Sequence, residues 1–299
     1  MANLVREREA VRPSGANFGA AIPPHAFFLV SAIFHYLGPA LAVLLFAQVN
    51  ELGVAWLRVA TAAAVFALWR RPWRIVGGLP RQSRWTLLAL GAVLGAMNVC
   101  FYLAIARLPL ATVGAIEFLG PIALATLGVR SNRNGLALTL AVAGAWLLTD
   151  VRFDGAALGF AFGFANCVLF MLYVVLGHRV ARDGGGAIDR LGLAMIVALV
   201  SITPIALVDA APAFTDPRLL LSGIAVGICS SVIPYVCDQL AMARLPRATF
   251  ALMLALLPAC AAAIGLFVLQ QYPHRSEVVG IALIVGGVAV HRESELQTP

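Results

Sequence analysis

The stretch NVCFYLAIARLPLATVGAIEFLGPIALA, residues 98–125, returns later in the chain as YVCDQLAMARLPRATFALMLALLPACAA, residues 235–262. About a dozen of the 28 aligned positions are identical, among them a Val-Cys pair, an Arg-Leu-Pro turn, an Ala-Thr pair and a proline. A shared apolar composition does not by itself place these residues in register. We therefore interpret the two stretches as copies of one unit, offset by 137 residues.

The composition around this repeat is that of a membrane protein. Of the 299 residues, 61% are hydrophobic and only 12% are charged, whereas soluble domains carry about 25% charged residues. Apolar runs of roughly 18 residues or more cross bilayers as helices. The chain is predicted to be an all-α polytopic membrane protein with ten transmembrane helices, at 26–47, 52–69, 85–106, 110–128, 134–150, 155–177, 188–208, 219–242, 248–269 and 276–291.

Two repeats of five helices account for the ten segments. The first repeat is predicted at 26–153 and the second at 154–291, with tails at 1–25 and 292–299. Because five is an odd number, the second repeat enters the membrane from the opposite side, and the two copies are inverted. Inverted repeats are the architecture of secondary transporters, whose sites lie near the bilayer midplane at the repeat interface.

The arginines predict the orientation of the chain. All 21 basic residues are arginine, and with the N-terminus inside, about sixteen of them lie on the cytoplasmic side. Four lie on the outer side: Arg107, Arg152, Arg218 and Arg275. The positive-inside rule then places both termini in the cytoplasm. The first apolar run is too long for a signal-peptide core and is expected to stay in the protein. This asymmetry explains the net charge of +7, so no nucleic-acid partner is expected.

The repeated stretch, together with SSVIPYVCDQLAMARLPRATF at 230–250, resembles EamA-type ten-helix members of the drug/metabolite transporter superfamily. It most resembles their threonine/homoserine exporter branch. The resemblance implies two EamA repeats, a central cavity, and export of amino acids or related small metabolites across the bacterial inner membrane by alternating access. It also carries over three functional positions, Arg58, Glu117 and Asp238.

The chain departs from that family at two places. Relatives often carry a glutamate before the proline of the ninth helix, where Leu257 precedes Pro258 here. The usual Gly-Glu after that helix is replaced by LQQYPHRSE, residues 269–277. Proton-coupled exchange and facilitated efflux therefore both stay open.

Two charged residues lie well inside apolar segments, where charges are costly and usually functional. Glu117 is about seven residues into the fourth helix, roughly 10 Å from its outer end, and Arg58 has a similar depth on the second. Glu117 is interpreted as the partner of a substrate ammonium. Arg58 either pairs with Glu117 for structure or binds a substrate carboxylate. Asp238, near the cytoplasmic end of the eighth helix, is expected to form a gate or an interfacial ion pair with Arg244.

Polar residues and prolines complete the predicted site. Polar cavity candidates share helix faces or occupy equivalent repeat positions, although each alone is explained by a helix–helix hydrogen bond; they are His35, Tyr36, Asn98, Tyr102, Asn166, Tyr173, Tyr235 and Gln239. A proline cannot donate to the carbonyl four residues earlier, which weakens a helix where transporters place sites and hinges. The predicted hinges are Pro39, Pro121, Pro234 and Pro258.

Other classes of function find less support in the sequence. An intramembrane enzyme needs a cluster of acidic residues or of His and Asp, and none is visible in the sequence. A scaffold needs neither bent helices nor a buried glutamate, and both are predicted here. No cofactor or metal is expected, since His35 has no second ligand at suitable spacing and the cysteines fall in apolar segments as packing residues. The expected partners are a small zwitterionic amino acid, the lipid bilayer and, under coupled exchange, protons, with the chain a monomer or weak dimer. The alternative is an exporter of nucleosides, sugars or drugs.

Overall fold

The computed structural model describes residues 23–128, 132–150, 153–182, 187–242 and 256–290. All regular secondary structure in these ranges is helical. The α-helices are α1 Pro24–Leu45, α2 Glu51–Arg70, α3 Arg81–Ile105, α4 Leu110–Gly128, α5 Asn132–Asp150, α6 Phe153–Arg182, α7 Ala187–Thr215, α8 Pro217–Gly227, α9 Ile233–Met242, α10 Leu256–Leu269 and α11 Arg275–Val290. A 3-10 helix, Pro72–Gly78, follows α2, and a π-helix, Ile228–Val232, joins α8 to α9.

Every predicted transmembrane segment contains a helix, and the all-α polytopic fold is confirmed. The α8–α9 pair forms the eighth segment, and α10 lies in the ninth, whose predicted first residues fall in 243–255, outside the described part. Within the described ranges, six helices have the length and hydropathy to cross a membrane: His25–Leu45, Glu51–Arg70, Arg81–Ile105, Ala157–Gly177, Ile188–Thr215 and Pro217–Asp238. Shorter apolar helices occur at Leu110–Gly120 and Leu257–Leu269.

Equivalent helices of the two repeats pack antiparallel. Gly53, near the start of α2, lies against the backbone of Asp209 near the end of α7. At the opposite end of this pair, Arg70 Nε lies 2.7 Å from Asp189 Oδ1. Because helices in lipid associate by close packing, a glycine at such a contact lets two backbones approach.

The same relationship holds for α5 and α11, the last helices of the two repeats. Gly144 faces Gly280 near the start of α11, while Gly287, further along α11, faces the backbone of Ala137. Packing between the other helices is also repeated: α3 contacts α6 and α4 contacts α6, just as the α8–α9 pair and α10 contact α1. The fold is therefore built from inverted copies, and the repeat boundaries at 153 and 154 stay a prediction.

The bundle has two ends, each marked by an ion pair. At the first, called the Glu51 end, α2 begins and Arg107 Nη1 lies 3.9 Å from Glu51 Oε1. At the second, called the Arg70 end, Arg70 pairs with Asp189. Helix α1 begins and α11 ends at the Arg70 end, so the start of the first helix and the end of the last lie on the same side of the bundle. That this side is cytoplasmic stays a prediction.

Buried hydrophobic side chains form two cores. The first core contains α1, residues 54–57 of α2 and the hairpin between α3 and α4, with Val226 of α8. The second contains residues 59–66 of α2, 87–97 of α3 and 191–202 of α7, with Tyr235 of α9. Among the transmembrane segments that pass from one core to the other within the described part of the bundle, three concern the site: α2, α3 and the α8–α9 pair.

Candidate functional site

Polar side chains stand where these three segments change from one core to the other. The change falls at Arg58 on α2, at Asn98 on α3, and at Ser230 and Ser231 on the π-helix, and all four residues are buried. A buried polar group costs free energy unless it is hydrogen-bonded. The partners of these side chains therefore indicate what the polar layer does.

Arg58 connects α2 to the π-helix of the other repeat. Its Nε donates to Ser231 Oγ and its Nη2 to the carbonyl oxygen of Ser230, each at 2.9 Å. The proline at Pro234, four residues further on, has no N–H to donate to that carbonyl. The guanidinium supplies the missing hydrogen bond, and its Cζ atom lies 5.5 Å from the centre of the Tyr102 ring, a cation–π distance.

A π-helix lies directly before Pro234, one of the predicted hinges, and the hinge role stays a prediction. The Ile233 N–H bonds the carbonyl of Ile228, five residues back instead of four. Gly38 of α1 packs directly on Ser230, where a Cβ atom would overlap the serine. Single π turns interrupt α-helices preferentially at functional sites. The irregular turn is thus held from two sides, by α1 and by Arg58.

Glu117 of α4 is buried, with 4% of its surface exposed. Its Oε1 accepts a hydrogen bond from Asn166 Nδ2 of α6 at 3.2 Å. Within the described ranges, Glu117 Oε2, Asn166 Oδ1 and Tyr36 Oη have no hydrogen-bond partner. Tyr36 approaches α4 at Gly114, where an added Cβ would lie 3.0 Å from Tyr36 Oη. Buried polar atoms are rarely left unsatisfied, so three of them on neighbouring side chains indicate a place for a ligand that donates hydrogen bonds.

The structural alternative predicted for Arg58, an ion pair with Glu117, is not found among the described residues. The ion pairs that the structure shows there join Arg70 to Asp189 and Arg107 to Glu51. Arg58 still interacts electrostatically with Glu117, as it does with His35. One cation and one carboxylate therefore act on the same region without touching each other.

The other predicted residues differ in the contacts that they make. His35 contacts Tyr36 edge to face, with ring centres 5.2 Å apart. Tyr173 lies 5.9 Å from Phe170 and interacts electrostatically with Tyr235. Asn98 instead donates to the carbonyl oxygen of Leu94 in its own helix at 2.8 Å. Its Oδ1 has no hydrogen-bond partner within the described ranges, and no hydrogen bond there ties Asn98 to Glu117 or Arg58.

The gate predicted from Asp238 and Arg244 is only half described. Asp238 interacts with Ser31 of α1, and Ser31 Oγ also donates to the carbonyl oxygen of Pro234 at 3.3 Å. Arg244 and the side chains of Gln239 and Pro121 lie outside the described residues. The remaining predicted hinges, Pro39 and Pro258, lie within α1 and α10.

Sequence analysis missed a second buried carboxylate. Glu277, in the first turn of α11, is 2% exposed, and its Oε2 accepts a hydrogen bond from the backbone N–H of His274 at 2.8 Å. A glutamate three residues after the residue that precedes a helix is a recognised capping pattern. The spacing from His274 to Glu277 was the signal available in the sequence.

A cavity of about 460 Å³ opens at the Glu51 end, between the α3–α4 and α10–α11 hairpins. It is lined by none of the residues predicted to bind substrate; its lining includes Val43, Phe46, Arg107, Thr112, Ala262, Gly265, Gln271, Tyr272, Glu277 and Ile281. Deeper in the bundle, Gly114 packs on Ala261 and Tyr36, where an added Cβ would lie 2.9 Å from Ala261 Cβ. This contact, called the constriction, lies along α4 between Thr112, which lines the cavity, and Glu117.

Comparison with known proteins agrees with this architecture. The EamA-like transporter family matches residues 157–291, within the second repeat. The threonine/homoserine exporters RhtA of Salmonella typhimurium (strain LT2) and Escherichia coli (strain K12) are each 31% identical, over 87% of this chain and 90% of theirs. The crystal structure of a protein that is 19% identical covers 89% of this chain and 97% of its own with a TM-score of 0.55, which shows the fold alone. The chain therefore belongs to the EamA-like transporter family of the drug/metabolite transporter superfamily.

Proposed function

We propose that the protein exports small zwitterionic amino acids across the bacterial inner membrane as a secondary transporter. The observation that carries the proposal is the buried Glu117 carboxylate, which has one oxygen held by Asn166 and the other without a partner among the described residues. Support comes also from the relatives named threonine/homoserine exporters. In this proposal Glu117 binds the ammonium group of the substrate.

The donors of an ammonium group match the atoms that the site leaves unsatisfied. An amino-acid ammonium offers three N–H donors and no acceptor, like that of lysine. Glu117 Oε2, Asn166 Oδ1 and Tyr36 Oη are three atoms that can accept them. A cation so deep in the membrane needs a negative partner, which the carboxylate supplies. Asn166 orients the carboxylate by holding its other oxygen.

Arg58 provides the positive potential that the substrate carboxylate needs. Its guanidinium is fixed by Ser230 and Ser231 and interacts electrostatically with the region of Glu117. A zwitterion placed between the two charges is stabilised at both ends, whereas an uncharged sugar or nucleoside can hydrogen-bond them but forms no ion pair with either. This charge arrangement favours an amino acid over the other substrates of the superfamily.

Alternating access then requires two barriers that open in turn around Glu117. We take the constriction of Tyr36, Gly114 and Ala261 as the barrier toward the Glu51 end, which the arginine distribution predicts to be outside. The π-helix beside Arg58 is the flexible element between the repeats. Release of substrate through the constriction leaves Glu117 to bind a proton under coupled exchange, or to stay charged under facilitated efflux.

Efflux from proteoliposomes tests the proposal. The vesicles are loaded with radiolabelled L-threonine, and parallel samples with uridine or glucose, with and without a pH gradient. We expect threonine efflux, and a loss of at least about tenfold in Glu117→Gln, because a hydrogen bond to a charged group contributes about 1.5–3 kcal/mol. Glu51→Gln, a matched change at the bundle end, should transport normally.

Three outcomes would contradict the proposal in different ways. Normal threonine efflux from a stable Glu117→Gln protein rejects the role of the carboxylate. Efflux of uridine or glucose without threonine rejects the substrate class. A folded protein that moves none of these compounds in either direction rejects transport of the tested compounds. Dependence of efflux on the pH gradient separates proton exchange from facilitated release.

A further inference from the structure

We propose that the cavity at the Glu51 end is a second binding site for a small zwitterion, distinct from the site at Glu117. The carboxylate of the ligand would face Arg107 and the start of α4, and its ammonium would face Glu277. The identity of the ligand rests on the proposed function, whereas the existence of the site rests on the cavity itself.

The positive side of the cavity is built from two features. Arg107 is held in place, since its Nη1 donates to the carbonyl oxygen of Leu103 at 2.7 Å and its Cζ lies 5.7 Å from the centre of the Phe162 ring. Its distance of 3.9 Å to Glu51 leaves that ion pair loose. Helix α4 also begins at the cavity, and the first N–H groups of a helix carry partial positive charge.

The wall of the cavity orders the start of α4. The backbone N–H of Leu110 donates to Gln271 Oε1 at 3.0 Å, so the loop after α10 is attached to the first turn of α4. Thr112, in the same turn, lines the cavity and offers a hydroxyl group. A ligand carboxylate at this point would meet a helix start, a hydroxyl and a guanidinium.

The negative side is the buried carboxylate of Glu277. It lines the cavity with 2% of its surface exposed, and one of its oxygens caps α11. An ionised carboxylate has several acceptor sites, so a carboxylate that lines a cavity can accept hydrogen bonds from an ammonium group there as well as from its other partners. The cavity thus presents positive and negative groups on opposite hairpins.

The size and position of the cavity fit a site on the export route. Its volume of about 460 Å³ lies in the range of about 300–1,000 Å³ that is usual for small-molecule sites. Thr112 precedes Glu117 by five residues, about 7.5 Å along α4. The constriction lies between them, so a substrate that passes it enters this cavity next. The ligand can therefore occupy the second site while Glu117 is shielded.

Protection of a cysteine tests this site in the full-length protein. Ala262→Cys is made in a variant whose five native cysteines are alanine, and right-side-out membrane vesicles are treated with an impermeant thiosulfonate. L-threonine at twice its Kd should slow the modification about threefold, since the free fraction falls as 1/(1 + [L]/Kd). L-threoninol, which lacks the carboxylate, should not protect. Thr215→Cys, at the same end but outside the cavity, should react equally in all samples.

Charge variants then separate this site from the proposed transport site. Arg107→Gln and Glu277→Gln should each abolish protection by L-threonine, while Arg107→Lys retains it; the glutamine at 277 keeps an acceptor for the His274 N–H and so preserves the helix cap. Glu117→Gln should lose efflux but keep protection. The site is rejected if L-threonine gives no protection, if L-threoninol protects equally, or if Glu117→Gln removes the protection. Absence of threonine efflux with protection intact would reject the proposed function alone.

Discussion

Arg58 Nη2 donates a 2.9 Å hydrogen bond to the carbonyl oxygen of Ser230, which an α-helix would instead pair with the N–H of residue 234. Residue 234 is a proline and has no N–H to donate. The donor is instead Arg58, on a different helix. Arg58 belongs to the first repeat and Ser230 to the second. A buried arginine that appeared to call for an acidic partner instead completes the backbone of the opposite repeat.

This relationship predicts an energetic coupling between Arg58 and Pro234. Arg58→Met should lower the free energy of unfolding by about 2 kcal/mol, since it leaves a buried carbonyl and a buried serine without their charged donor. In a Pro234→Ala background, the new N–H can satisfy the Ser230 carbonyl, and the same change should cost about 1 kcal/mol less. Unfolding by SDS in mixed micelles measures both costs.

Arg70→Met is the control for this pair of measurements. Arg70 is on the same helix but exposed at its end, where an ion pair contributes little to stability. Equal costs of Arg58→Met in the two backgrounds would mean that the proline and the arginine are independent. The hydrogen bond to Ser230 would then be incidental to the packing of α2.

Two of the buried asparagines, Asn98 and Asn166, provide a second prediction, because they were predicted alike and the structure distinguishes them. Asn166 donates to Glu117, whereas Asn98 donates to the backbone of its own helix. Asn166→Ala should raise the KM for threonine efflux about tenfold. Without the hydrogen bond that orients the Glu117 carboxylate, we expect the free energy of substrate binding to weaken by about 1.4 kcal/mol. Asn98→Ala should leave KM within about twofold, while lowering stability modestly. Equal KM values in the two variants would contradict a positioning role for Asn166.

The contrast between these asparagines shows how far the sequence could lead. The apolar runs predicted the helices, and the odd-numbered repeat predicted that its two copies are antiparallel, because both depend on residues close in sequence or on the copied unit. The partner of Arg58 could not be predicted in the same way. Whether a buried arginine meets Glu117 or Ser230 depends on helix rotations that only the packed bundle determines.

The π-helix and the burial of Glu277 are two further features that the sequence could not predict in full. A proline at 234 indicated an irregular helix, but not that the Ile233 N–H would bond the carbonyl of Ile228, five residues before it. Glu277 was included in the last transmembrane segment, but its burial depends on the α3–α4 hairpin, which lies over 160 residues earlier in the chain. Long-range contacts of this kind leave no periodic trace in the sequence.

The constriction makes the third prediction. An added Cβ at Gly114 would lie 2.9 Å from Ala261 Cβ and 3.0 Å from Tyr36 Oη, closer than side chains normally approach. Gly114→Ala should therefore hold α4 away from α1 and α10, and prevent the constriction from closing. We expect threonine efflux to fall severalfold, because alternating access needs both barriers to close. Modification of Ala262→Cys should be faster in this variant.

Gly163 provides the matched control for this change. It lies on α6, where an added Cβ would be 3.6 Å from Ile116 Cδ1, an ordinary contact, so Gly163→Ala should transport at the rate of the wild type. Because the crowding at Gly114 arises partly from Ala261, Gly114→Ala combined with Ala261→Gly should recover a large part of the efflux. If the double variant is as slow as Gly114→Ala while both fold normally, the contact between α4 and α10 is not the barrier. Tyr36 alone would then be the residue that separates Glu117 from the cavity.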